Sequence, residues 1–291
     1  TYNDGSSEQV VTDGNWKSST GEIVFSQLYD GEIINASKEK TGWKTTGYDE
    51  RNWEKVKIAD YPKNNIIPTV NESVKKHETI KPLKIITTPK GEKVIDFGQN
   101  LVGWVAVKLR GKQGDTITIS HAEVLDKKGN FYTENLRAAK AQMKYILKGE
   151  AEESFYPHFS WMGFRFIKVD GYNGDLNPND FEAVALYSAM EPTGSFTSSN
   201  KMVNQLQQNI QWGQKGNFLD VPTDCPQRDE RLGWTGDAQA FARTASFNMN
   251  VNNFFAKWLQ DLEADQMDGV VPHVIPNVLG KSGNSAGWAD A

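Results

Sequence analysis

Asp220-Val221-Pro222-Thr223-Asp224-Cys225-Pro226-Gln227-Arg228-Asp229-Glu230-Arg231-Leu232-Gly233-Trp234-Thr235-Gly236-Asp237 separates two kinds of sequence. These eighteen residues hold five carboxylates, two arginines, one tryptophan and the only cysteine of the chain. Pro222 and Pro226 early, with Gly233 and Gly236 late, argue against one continuous helix. The stretch reads as a charged, irregular loop between helical segments. A loop that merely connects needs neither a tryptophan nor so many carboxylates, and loops on a rigid scaffold are where binding and catalytic residues concentrate.

Downstream of the loop, residues 238–247 have high helix propensity. Phe254, Phe255, Trp258, Leu259 and Leu262 then form an apolar face at helical period, and Asp268-Gly269 marks its end. Upstream, Ser198, Ser199 or Asn200 offers an N-cap to Met202, Val203, Leu206 and Ile210, with Gly213 and Gly216 as the expected stop. Before Thr193 the pattern changes to period two. Residues 83–86, 94–97, 104–109, 115–120, 145–147, 164–169 and 181–186 alternate or run apolar between turn residues, as antiparallel strands with one buried face do. Residues 136–141 read as a short helical turn, and residues 61–81 as a linker or domain edge. The first 78 residues carry short strands around Ile23 and Ile33, with Trp16, Trp43 and Trp53 expected as core fillers of a small sandwich.

The expected architecture is therefore multidomain β + α. It has a β-sandwich domain over residues 1–78, a second, jelly-roll-like sandwich over 79–192, and a helical region over 193–291. Three helices are few for that region, so the chain reads as a fragment of a longer protein. A net charge of −5 and a pI near 5.5 argue against a nucleic-acid partner. The four histidines are too scattered to ligate a metal, no stretch is long enough for a membrane span, and one cysteine excludes an intrachain disulfide.

Residues 224–237 resemble the signature of bacterial α-L-rhamnosidases, glycoside hydrolase family 78. So do Asp96-Phe97-Gly98-Gln99-Asn100 with Gly103-Trp104, His121-Ala122-Glu123-Val124-Leu125, Asn135-Leu136-Arg137-Ala138-Ala139, Gly163-Phe164-Arg165-Phe166, and Tyr29-Asp30-Gly31-Glu32. The resemblance implies β-sandwich modules followed by an (α/α)6 barrel, of which this chain would hold only the first helices. It implies a glycosidase that removes terminal α-L-rhamnosyl residues with inversion; no cofactor is expected, and the sequence shows no metal site, with a calcium site of carbonyls and carboxylates left open. Glu230 resembles the general acid. Asp224 and Asp237 resemble sugar-binding carboxylates, Trp234 an aromatic against the sugar, and Arg228 an orienting cation, while Trp288 and Asp290 sit in a stretch similar to a later block near the site. The family's catalytic base falls beyond residue 291, so the isolated chain is expected to be inactive.

A rhamnose-containing oligosaccharide or glycoside is the implied partner, and the periplasm or the outside of the cell the implied compartment. Uncovered helix faces predict self-association. Taken singly, each carboxylate is more ordinarily a surface charge, and Asp220, Asp229 and Cys225 read as structural. A second reading is a non-catalytic carbohydrate-binding sandwich protein, with an aromatic platform from Trp16, Trp43 or Trp104.

Overall fold

The alternating runs fold into one ten-stranded, almost wholly antiparallel sheet in this computed structural model, which describes residues 1–64, 66–280 and 286–289. In chain order the strands are β1 (Lys17–Ser18), β2 (Ile23–Gln27), β3 (Gly31–Asn35), β4 (Glu54–Lys55), β5 (Val74–Ile80), β6 (Lys84–Thr87) and β7 (Lys93–Leu109). They continue as β8 (Thr116–Ala122), β9 (Gln142–Ile146), β10 (Glu153–Phe155), β11 (Met162–Asp170) and β12 (Phe181–Ser188). β1 and β4 pair with each other, and the main sheet runs β2-β3-β9-β8-β11-β7-β12-β5, with β6 and β10 also on β7. Only the β3–β9 pairing of this sheet is parallel.

β7 is the spine of the sheet. The sequence reads it as two strands, but it is one strand of 17 residues that pairs with β6, β10, β11 and β12. Gly98, at φ +84°, marks the bulge where the β11 register shifts. Arg165 closes that bulge by a fork onto Asp96, Nε to Oδ1 at 2.8 Å and Nη2 to Oδ2 at 3.0 Å, while Gly98 N–H donates to Oδ1 at 2.7 Å. The Asp96–Asn100 motif is thus structural at its first residue. Gly103 is obligatory, because a Cβ there would lie 1.9 Å from the Val184 carbonyl oxygen on β12. Leu101, Ile119, Tyr145, Phe164, Ile167 and Phe181 fill the main core.

Three expectations change. β5 lies inside the expected linker; it is an edge strand with Lys75 and Lys76 exposed, so it lacks an alternating apolar face. Trp16 and Trp43 are 46 % and 48 % exposed rather than core. Gly213 and Gly216 do not end the first helix, α1 (Lys201–Asn217), which Asn200 caps by accepting the Met202 N–H at 2.9 Å. Gly216 is there for packing, since a Cβ would approach the Val102 side chain on β7 to 2.8 Å.

A small hairpin follows, β13 (Phe218–Leu219) and β14 (Val221–Pro222), and then the charged loop. α2 (Thr235–Asn248), α3 (Asn252–Asp265) and the short α4 (Ala286–Ala289) complete the described residues. Phe218 stacks on Phe254 with ring centroids 4.6 Å apart, and Ala245, Met249 and Met190 pack around them. So β structure comes first and helices follow, the helices being the start of a barrel. Met202, Leu206, Phe247 and Leu259 remain exposed on the helices. No helix among the described residues is long and apolar enough to cross a membrane.

Candidate active site

The charged loop is cinched at its base by Asp224. Its N–H donates to the Leu232 carbonyl at 2.9 Å, and its Oδ1 accepts the Leu232 N–H at 3.0 Å. Between those points the chain folds back, and Arg231 adopts φ +52°. The loop rests directly on β11: a Cβ on Gly163 would meet Pro226 Cγ at 3.0 Å and Gln227 Cβ at 3.2 Å. At the other end Gly233 admits the Ile275 carbonyl, which a Cβ would approach to 2.2 Å, and Ile275 N–H donates to Gly233 at 2.8 Å.

Arg231 turns inward and is buried. Its Nη1 donates to the carbonyls of Leu28 (2.9 Å) and Trp161 (2.7 Å); Nη2 donates to Gln227 (3.2 Å) and Nε to Arg228 (3.2 Å). The rings of Trp161 and Tyr29 lie over the guanidinium at 4.8 and 5.5 Å. Burial pulls its pKa down to about 10, and among the described residues no carboxylate pairs with it. Tyr29 adds a bond from its hydroxyl to the Glu230 carbonyl at 2.6 Å.

The Glu230 carboxylate accepts three contacts. Oε2 lies 2.9 Å from Arg137 Nη2 and 3.0 Å from Arg228 Nη2, and Oε1 takes the Trp234 indole N–H at 3.0 Å. Arg228 also reaches Asp224 Oδ2 at 3.4 Å. Asp237 stands in the first turn of α2 and shares a cleft of about 330 Å³ with Asp224. Burial, aided by the charges of Asp224 and Glu230, raises the Asp237 pKa. Trp288 on α4 meets the Trp234 ring edge-on at 5.8 Å, over Gly236, where a Cβ would come within 3.0 Å of the indole. Asp290 lies outside the described residues.

The loop thus brings Asp224, Arg228, Glu230, Trp234, Asp237 and Trp288 together. Asp229 turns away to Arg137 Nε at 2.6 Å, and Asp220 pairs with Lys257 at 3.1 Å. Cys225 is buried, with burial as the main reason its thiol is pushed up to about 11, so it is a poor nucleophile. Asp224, Cys225 and Glu230 bring donor atoms within 4.8 Å of one another, but Arg137 and Arg228 already hold the carboxylates, so a metal ion would face guanidinium charge. Of the aromatics in the binding-module reading, Trp104 is covered by Tyr156 at 5.9 Å, Trp16 is exposed, and Trp43 walls a cleft of about 330 Å³ together with Trp53, which that reading did not name.

Sequence reasoning missed Arg137 and Tyr29, which come from the β region, and gave Arg231 no role beyond its charge. The carboxylate cluster has the chemistry for proton donation beside a group that accepts from hydroxyls, with two indoles for an apolar sugar edge.

Three family models match consecutive parts of the chain. The alpha-L-rhamnosidase N-terminal domain matches residues 1–78, the bacterial alpha-L-rhamnosidase concanavalin-like domain 86–187, and the bacterial alpha-L-rhamnosidase 6 hairpin glycosidase domain 191–291. An alpha-L-rhamnosidase of Formosa agariphila is 41 % identical over the whole chain, which spans 32 % of that relative. The structure of alpha-L-rhamnosidase from Dictyoglumus thermophilum superposes with a TM-score of 0.95 at 38 % identity, over 99 % of this chain and 33 % of that one. The Streptomyces avermitilis alpha-L-rhamnosidase complexed with L-rhamnose gives 0.91 at 40 % identity, over 95 % and 27 %. The chain spans about a third of the length of such relatives. With three rhamnosidase domains matched in order on a backbone that superposes along almost its whole length, the chain belongs to the bacterial α-L-rhamnosidases of glycoside hydrolase family 78.

Proposed function

We propose that these residues form the acid side of an inverting α-L-rhamnosidase site, with Glu230 as the general acid. The observation that carries this is a part-buried carboxyl, Glu230, held by Arg137 and the Trp234 indole on the same loop as Asp224, which shares a cleft of about 330 Å³ with Asp237, while Trp288 packs edge-on against Trp234. Glu230 gives its proton to the glycosidic oxygen as the C1–O bond breaks and the leaving group departs as an alcohol. The sugar passes through an oxocarbenium-like state, and water adds to C1 from the opposite face. A second carboxylate takes that water's proton, and it lies beyond residue 291 in the parent protein. Asp224 and Asp237 accept hydrogen bonds from ring hydroxyls, and Trp234 and Trp288 pack against the sugar's methyl-bearing edge.

The substrates are glycosides or oligosaccharides ending in α-L-rhamnose. The exposed apolar faces of α1 and α3 are where further barrel helices pack, and residues 1–291 alone turn over no rhamnoside at a useful rate. The test is hydrolysis of an aryl α-L-rhamnoside by the full-length protein, wild type against Glu230→Gln. The variant is expected to lose about 10²- to 10⁴-fold in kcat/KM with unchanged circular dichroism. Equal rates would move the acid elsewhere. An inert wild type that binds oligosaccharide at Trp43 and Trp53 would favour the binding-module reading.

A further inference from the structure

Arg137 lies in the β region, 93 residues before Glu230, yet its side chain ends in the site. Its Nε donates to Asp229 Oδ1 at 2.6 Å and its Nη2 to Glu230 Oε2 at 2.9 Å, so one planar fork spans two neighbouring carboxylates. Asp229 is fixed in turn, because it also accepts the backbone N–H of Ala138. The Arg137 turn is anchored from below by buried Leu136 and Ala139.

Ordinary stability does not account for this arrangement. Arg137 sits at φ 57°, ψ −117°, outside the regions favoured by a residue with a side chain. Such a conformation is strained and persists only where its surroundings hold it. Its side chain is 49 % exposed, and water screens an ion pair that open to solvent, so the tie returns little. As a structural tie the residue loses more than it gains. Strain held in place at a candidate active site points to a function for the held group.

We infer that Arg137 is a positioning residue that holds Oε2 of Glu230 and thereby leaves Oε1 as the oxygen that meets the glycosidic oxygen. This rests on the reading of Glu230 as the acid. Oε2 already accepts an N–H from Arg137 and pairs with the Arg228 guanidinium at 3.0 Å, so the oxygen that carries the transferable proton is Oε1, on the Trp234 side. Arg228 alone cannot fix the carboxyl, since its side chain belongs to the same loop and is shared with Asp224. Arg137 supplies a fixed point from outside the loop. In the transition state the proton moves from Oε1 to the leaving oxygen, and the charge left on the carboxylate is taken up at Oε2 by the two guanidinium groups.

Leaving groups separate this role from a merely structural one. A dinitrophenolate departs without protonation, whereas an alkyl alcohol does not. In the full-length protein, Arg137→Met is expected to lower kcat about 10- to 100-fold on an alkyl α-L-rhamnoside and less than about 3-fold on the dinitrophenyl one, with KM for both little changed. Arg137→Lys keeps the charge but not the fork, and should fall between. Asp229→Asn removes the other carboxylate that the fork holds and should show the same leaving-group bias more weakly, so the inference stands or falls even if Arg137→Met folds poorly. Equal losses on both substrates, or no loss on either, overturn it. Glu230→Gln run alongside keeps the two readings apart: if that variant shows no leaving-group bias, the acid assignment has failed, and if it does while both Arg137 variants do not, only the positioning role has.

Discussion

His121 on β8 gives the sheet a built-in sensitivity to acid. Its imidazole is fully buried, edge-on to Phe164 at 4.9 Å, with Nδ1 2.9 Å from the Ala141 carbonyl and Nε2 without a hydrogen-bond partner among the described residues. Burial, with a smaller push from the Arg231 charge, lowers its pKa from 6.5 to about 4. The unfolded chain therefore takes up a proton near pH 6.5, while the folded chain resists until about pH 4. Stability is complete above the unfolded value and falls as pH drops through that window. Linkage puts the loss at about 1.4 kcal/mol by pH 5.5 and about 3 kcal/mol by pH 4. His121→Phe removes the titration, keeps a ring against Phe164, and leaves the Ala141 carbonyl its backbone donor, the His121 N–H at 3.1 Å. Urea unfolding followed by tryptophan fluorescence at about pH 7, 5.5 and 4 should show wild type losing about 3 kcal/mol more than the variant across the series. Parallel losses in the two proteins would mean that the imidazole is not held neutral by the fold.

The two glycines of α1 should respond in opposite directions. A Cβ at Gly213 meets nothing within 4 Å, so Gly213→Ala should raise stability by about 0.5–1 kcal/mol, whereas Gly216→Ala drives a methyl against Val102 and should cost about 1–3 kcal/mol despite its better helix propensity. Both are read from thermal or urea melts. Arg231→Lys cannot serve four backbone carbonyls at once and should cost about 2–3 kcal/mol, with an accompanying rise in proteolysis within residues 224–232.

The sequence shows most clearly what local pattern carries. β9 alternates with period two because one face is buried, β8, β11 and β12 announce themselves by apolar, β-branched and aromatic runs that are buried over most of their length, and α1 and α3 repeat at helical spacing. β5 escapes notice because its edge position lets lysines replace an apolar face, and β7 reads as two strands because Gly98 bends rather than ends it. The site divides along the same line. Asp224, Arg228, Glu230, Trp234 and Asp237 are legible together because they fall within fourteen residues. Arg137 and Tyr29 are not, because their partners are 92 to 201 residues away and only the folded sheet brings them close. Trp16 and Trp43 mislead because a tryptophan in a short-stranded region looks like core whether or not a partner covers it.

The proposed acid, Glu230, could not be aimed by its own loop. Residues 224–232 close on themselves through two bonds between Asp224 and Leu232, which fixes the neck of the loop but not the direction of its tip. The tip is set from the β region at three levels. Arg231 fastens the backbone beside Glu230 to Leu28 and Trp161, Tyr29 holds the Glu230 carbonyl, and Arg137 holds the carboxylate. A buried guanidinium without a carboxylate partner is costly, and it is retained here because one planar group can satisfy carbonyls on three segments that no single hydrogen bond would join. Each tie alone is modest, but together they remove rotation about the loop neck as well as about the side chain. On the proposed roles of Glu230, Asp224 and Asp237 the sheet is a working part of the site, and weakening any of the three ties should disturb proton delivery before it disturbs sugar binding.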